Sequence, residues 1–92
     1  MTHTTTVTLV PAEVLSRAKS FFAERLPHQA AFVEKEGQQY VALRGQGGEE
    51  VVFYAALGEG GVTRVRVSTL FFDQAVDRFL ATLPLASAVE VA

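Results

Sequence analysis

The side chains able to do chemistry are few, and most stand apart. The histidines are His3, close to the first residue, and His28, directly after Pro27. A nucleophilic mechanism needs a serine or cysteine beside an oriented base. The chain has no cysteine, and neither histidine has a partner legible in the sequence. Carboxylates come in three close pairs, Glu34/Glu36, Glu49/Glu50 and Asp73/Asp77. Such pairs can hold a divalent cation. Each, however, falls at a turn or a helix start, where acids solvate a loop or complement the helix dipole. The glycine loops Gly45-Gln46-Gly47-Gly48 and Gly58-Glu59-Gly60-Gly61 match neither a phosphate loop nor a dinucleotide fingerprint, and neither leads into a helix. They read as hairpin turns. The expectation is a protein that is not an enzyme, with no cofactor and no bound metal. A different set is more informative: Lys35, Tyr40, Arg44, Val52, Tyr54, Arg64 and Arg66. Tyrosine and arginine interleaved with small apolar residues can anchor a protein interface, or stack on bases and grip phosphates.

Five stretches read as strands and two as helices, in the order β-α-β-β-β-β-α. Thr4–Val10 is β-branched and alternates Thr5, Val7 and Leu9 against Thr4, Thr6, Thr8 and Val10. Pro11 suits a helix start. Val14, Leu15, Ala18, Phe21, Phe22 and Leu26 follow at helical spacing, opposite Glu13, Ser16, Arg17, Ser20 and Glu24. Pro27 disfavours helical geometry at Leu26 and ends that helix. Ala30–Glu36 and Gln39–Arg44 flank Gly37, which reads as a turn glycine taking a positive φ. Val51–Leu57 is apolar throughout, so it is covered on both faces or its second face has a use. Val62–Thr69 alternates strictly. Leu70–Leu83 is the last helix, with Phe72, Val76, Phe79, Leu80 and Leu83 as its stripe, Ser68 or Thr69 as its cap and Asp73 near its start. The tail Leu85–Ala92 is apolar, and docking as a short strand, association and fraying all remain open for it.

Four consecutive strands joined by glycine turns predict an antiparallel meander. Two amphipathic helices must then cover one face of a curved sheet, giving a single α+β domain over residues 1–92. In a hairpin centred on Gly37, position 34 faces 41 and 32 faces 43. That register puts Phe32, Val41 and Leu43 on the covered face, with Glu34 at the sheet edge; Val51, Phe53, Ala55, Leu57, Val65 and Val67 join them on an assumed register across the two glycine loops, where a one-residue slip would invert a strand's faces. The open face then collects Ala31, Val33, Lys35, Tyr40, Ala42, Arg44, Val52, Tyr54, Ala56, Arg64 and Arg66, with Glu50 as its one obvious acid. Both tyrosines and four of the eight basic residues fall there.

Composition narrows the function classes. The 92 residues are 49% hydrophobic and 20% charged, a globular balance. The formal net charge of -2 argues against coating nucleic acid by bulk charge. Without cysteine, disulfide scaffolds and thiol chemistry are excluded. No apolar run approaches the roughly 20 residues of a membrane helix. Met1–Thr8 lacks the basic start and apolar core of a secretory signal, so a soluble, cytoplasmic protein is expected.

The strand Thr4–Val10, the helix Pro11–Leu26, the meander Ala30–Thr69 and the helix Leu70–Leu83 together are similar in order to the repeat unit of the TATA-binding-protein family and to small helix-grip proteins. The resemblance spans nearly the whole chain, in topology only. The first likeness implies a concave sheet laid on DNA with phenylalanine wedges; none of the seven phenylalanines is assigned to such a position, and the chain is not basic overall. The second implies an apolar ligand held between helix and sheet, in a cavity lined here by Phe21, Phe22, Phe72 and Phe79. Three readings of the Tyr/Arg face therefore stay open: a solvated face, a protein interface, most simply a homodimer, and a nucleic-acid surface. A small apolar ligand is a further expectation, and a membrane is not.

Overall fold

The computed structural model describes residues 1–26 and 30–84. Its elements are β1 (Thr2–Val7), α1 (Pro11–Glu24), β2 (Ala31–Glu36), β3 (Tyr40–Gly45), β4 (Glu50–Leu57), β5 (Thr63–Thr69) and α2 (Asp73–Leu80). The five strands form one antiparallel sheet in the order β1-β5-β4-β3-β2, the α+β arrangement expected from the sequence. The meander accounts for β2 to β5. The first strand crosses over through α1 and closes the sheet beside β5. His28 and the tail 85–92 lie outside the described residues.

α1 begins on Pro11, and its Glu13 and Arg17 pair at 3.0 Å along the exposed side. Val14, Leu15, Ala18, Phe21 and Phe22 turn inward. Opposite them, Val41, Leu43, Val51, Phe53, Ala55, Val65 and Val67 of the sheet are buried. Phe22 and Phe79 meet Phe53 at ring separations of 5.3 and 5.4 Å, so both helices pack on that one face. Phe21, Phe22, Phe72 and Phe79, which a ligand carrier of the helix-grip kind would place around a cavity, meet each other at 5.4–6.4 Å with tilted or edge-on rings. That is the packing of a filled core.

The first strand runs Thr2–Val7 instead of Thr4–Val10, Leu57 at the end of β4 is exposed instead of covered, and three further expectations are corrected. The first concerns β2. The pairs Glu36↔Val41 and Lys35↔Ala42 lie on one side of a bulge, and Val33↔Leu43, Phe32↔Arg44 and Ala31↔Gly45 on the other. The inserted residue inverts the faces of the first half of the strand. Ala31 is therefore buried with the core, Val33 lies on the Leu43 side, and Phe32 stands on the open face at 55% exposure. Second, Gly37 does not take a positive φ; Gly48, Gly60 and Gly61 do. Gly37 is small for a steric reason, because an added Cβ would sit 2.6 Å from the Tyr40 ring. Third, α2 starts at Asp73, three residues later than expected. The Thr69 hydroxyl accepts the Phe72 N–H at 3.1 Å and donates to the Glu50 carbonyl at 3.0 Å. It thereby holds the chain to the sheet until that point and leaves Leu70 and Phe71 outside the helix, 79% and 71% exposed.

Candidate functional site

The register across the two glycine loops, which the sequence leaves open, keeps β3, β4 and β5 in phase and so positions the open face. Reading across the sheet, Lys35, Ala42, Val52, Ser68 and Thr2 form one row. Tyr40, Tyr54, Arg66 and Thr4 form the next, and Ala56, Arg64 and Thr6 a third. Phe32, Arg44 and Glu50 make a fourth at the β2 corner. All seven residues singled out by sequence, Lys35, Tyr40, Arg44, Val52, Tyr54, Arg64 and Arg66, thus share one surface. Ala31 and Val33, expected beside them, do not. Phe32 takes their place as the added aromatic.

The centre of the face is apolar and aromatic. The Tyr40 and Tyr54 rings lie 6.3 Å apart at 34°, flanked by Val52 and Ala56. Tyr54 is 47% exposed, and no helix covers it. Its charge is uneven. Glu34 reaches the face, although the sequence reading left Glu50 as its only acid. It accepts from the Arg44 Nε and, at 2.8 Å, from Nη2. Arg44 also donates to the Gly48 carbonyl at 2.8 Å and approaches Glu50 at 3.5 Å. Hydrogen bonding to this guanidinium holds the Glu34 carboxyl below its usual range, and the same bond raises Arg44. Arg64, Arg66 and Lys35 form no ion pair among the described residues. Four cations therefore stand with two carboxylates on a face of a net-negative chain.

On the covered side, His3 is not the isolated terminal residue that the sequence suggests. It sits on the inward phase of β1 with Thr5 and Val7 and reaches α2. Nε2 lies 2.7 Å from Asp73 and Nδ1 3.3 Å from Asp77. The hydrogen bond to His3 is the main cause that lowers the Asp73 carboxyl, partly opposed by desolvation and aided by the N-terminal ammonium. Two signals pointed to this cluster: the β1 alternation extended back by one step, and two aspartates four apart on one helix. The geometry is that of a clasp between the first strand and the last helix. No group of three or more histidine or acidic side chains among the described residues is placed to hold a metal ion, and no helix among them is long and apolar enough to cross a membrane. No protein-family model, curated protein or solved structure matches the chain.

Proposed function

We propose that this domain is a small non-enzymatic binding module that self-associates through its open sheet face, most simply as a homodimer. The uncovered Tyr40–Tyr54 pair in the middle of that face carries the reading. With Phe32, Val52 and Ala56 around it and Lys35, Arg44, Arg64 and Arg66 towards its margins, the face has an aromatic centre and a charged rim, the anatomy of a protein interface. Five strands about 4.8 Å apart and about 20 Å long present roughly 500 Å². Two copies would therefore bury about 1,000 Å², the lower limit for a specific contact, so binding should be weak to moderate. The excess of cations sets the arrangement. Arg64 and Arg66 of one copy belong beside Glu34 and Glu50 of the other, as a two-fold contact allows.

Sedimentation equilibrium at low and high salt tests this, with and without a short mixed-sequence DNA duplex. A dimer at both salts that ignores the duplex is the expected result. The double variant Tyr54→Ala, Arg66→Glu should be monomeric with an unchanged circular dichroism spectrum. Removing two central anchors at about 2 kcal/mol each weakens association by roughly a thousandfold. A double variant of undiminished mass would exclude this face. One observation favours a nucleic-acid module as a second reading: Phe32 is exposed on the same face as the unpaired arginines. A monomer that gains mass only with duplex at low salt would establish that reading instead.

A further inference from the structure

The corner between β5 and α2 holds two large apolar side chains in water. Leu70 and Phe71 are more exposed than any other leucine or phenylalanine among the described residues, whereas Thr69 before them and Phe72 after them are buried. The corner is fixed at both ends. On one side the Thr69 hydroxyl ties it to the Glu50 carbonyl and to the Phe72 N–H. On the other, the Phe72 ring packs 5.7 Å from Phe22, and the Phe72 carbonyl accepts the Val76 N–H at 2.8 Å as α2 begins. Leu70 and Phe71 are thus carried on a pinned bridge. Neither adds to the core, and polar residues would serve a two-residue corner as well. Single exposed apolar residues are ordinary, but a contiguous group of them marks a contact site.

The corner continues the open face. Arg64, Arg66 and Ser68 alternate onto that face, and Leu70 is the next position of the same phase. A groove joins the two surfaces, lined in part by Thr2, Glu50, Val52 and Ser68 of the face and by Leu70 and Phe71 of the corner.

We infer that Leu70 and Phe71 form an apolar end of the self-association surface, covered by a second copy of this chain in the same contact as the Tyr40–Tyr54 pair. The inference rests on the self-association proposed above, and buried area argues for that occupant. The sheet faces alone give about 1,000 Å² between two copies, the lower limit for a specific contact. Full burial of a phenylalanine covers roughly 150–250 Å², so Phe71, 71% exposed, still has about 110–180 Å² to lose. Leu70 adds on the order of 70 Å². Two copies together then gain about 400 Å² and reach roughly 1,400 Å², inside the range of standard specific interfaces. Because the bridge is pinned before contact, little ordering entropy is lost when the second copy covers it.

Sedimentation equilibrium of the full chain and its variants tests the inference. The double variant Leu70→Ala, Phe71→Ala should keep the circular dichroism spectrum and the urea midpoint measured at low protein concentration. It should weaken association about a hundredfold, tenfold for each anchor. Phe71→Trp should still associate, and its emission should move to shorter wavelength as protein concentration rises through the association range. An unchanged dissociation constant in the alanine variant, with Tyr54→Ala, Arg66→Glu monomeric, would overturn this inference and leave the face reading standing. A wild-type chain that stays monomeric would overturn both. Tryptophan emission that ignores concentration in an associating chain would also overturn it, because the corner would then lie outside the contact.

Discussion

Phe32 and Phe53 carry the same ring on opposite sides of the sheet, and truncating each to alanine tests the corrected β2 register. Phe53 is fully buried and meets the rings of Phe22 and Phe79. Phe53→Ala should cost about 3–5 kcal/mol, as for other buried phenylalanines. A domain of this length has a total stability of roughly 5–14 kcal/mol, so the loss is a large share of it. Phe32 is 55% exposed. Full burial of a phenylalanine covers roughly 150–250 Å². Somewhat under half of that is about 70–110 Å², or about 2 kcal/mol at roughly 25 cal/mol per Å². This is an upper limit, because the extended-chain reference overstates burial. Phe32→Ala should therefore cost about 1 kcal/mol and lower Tm by roughly 4–8 °C. Urea unfolding followed by circular dichroism, at a protein concentration below any self-association, gives both values. A Phe32→Ala cost of 3 kcal/mol or more would put that ring in the core and refute the bulge. The same variant should weaken association at high protein concentration, which Phe53→Ala cannot test cleanly because it destabilises the monomer.

The His3–Asp73 clasp makes stability depend on pH. Asp73 titrates below its ordinary 3.8 in the folded chain, so in that range the unfolded chain binds more protons and stability rises with pH. The contribution is complete above the ordinary value and is lost as pH falls through the lowered one. Asp73→Asn should flatten the acid limb of urea midpoint against pH; an unchanged limb would remove Asp73 from it. Thr63 is fully buried, and its hydroxyl has no hydrogen-bond partner among the described residues. Thr63→Val keeps the shape and removes an unpaired polar group, so it should raise stability by about 1 kcal/mol; a lower urea midpoint would show that the hydroxyl is bonded.

Much of the fold was legible in the chain because local patterns agreed with one another. Strict alternation in Val62–Thr69 set its faces, whereas the register across the two glycine loops, which keeps β3 and β4 in phase with it, came from strand pairing. This is why the tyrosines and arginines on one side could be grouped before any coordinates. Pro11 and the helical apolar spacing likewise marked α1. Tertiary structure decided what those patterns leave degenerate. Ala31-Phe32-Val33 is apolar at three consecutive positions, so it has no phase of its own, and only pairing with β3 across the bulge sends Phe32 outward. The last helix begins at Asp73 because a hydroxyl of β5 holds the preceding turn to β4, a contact that helical periodicity does not encode. His3 and Asp73 meet across 70 residues because β1 closes the sheet beside β5 and α2 packs beneath it. Sequence spacing specifies which face a side chain takes within its own element; which elements become neighbours depends on long-range strand pairing and burial, and that pairing made the clasp.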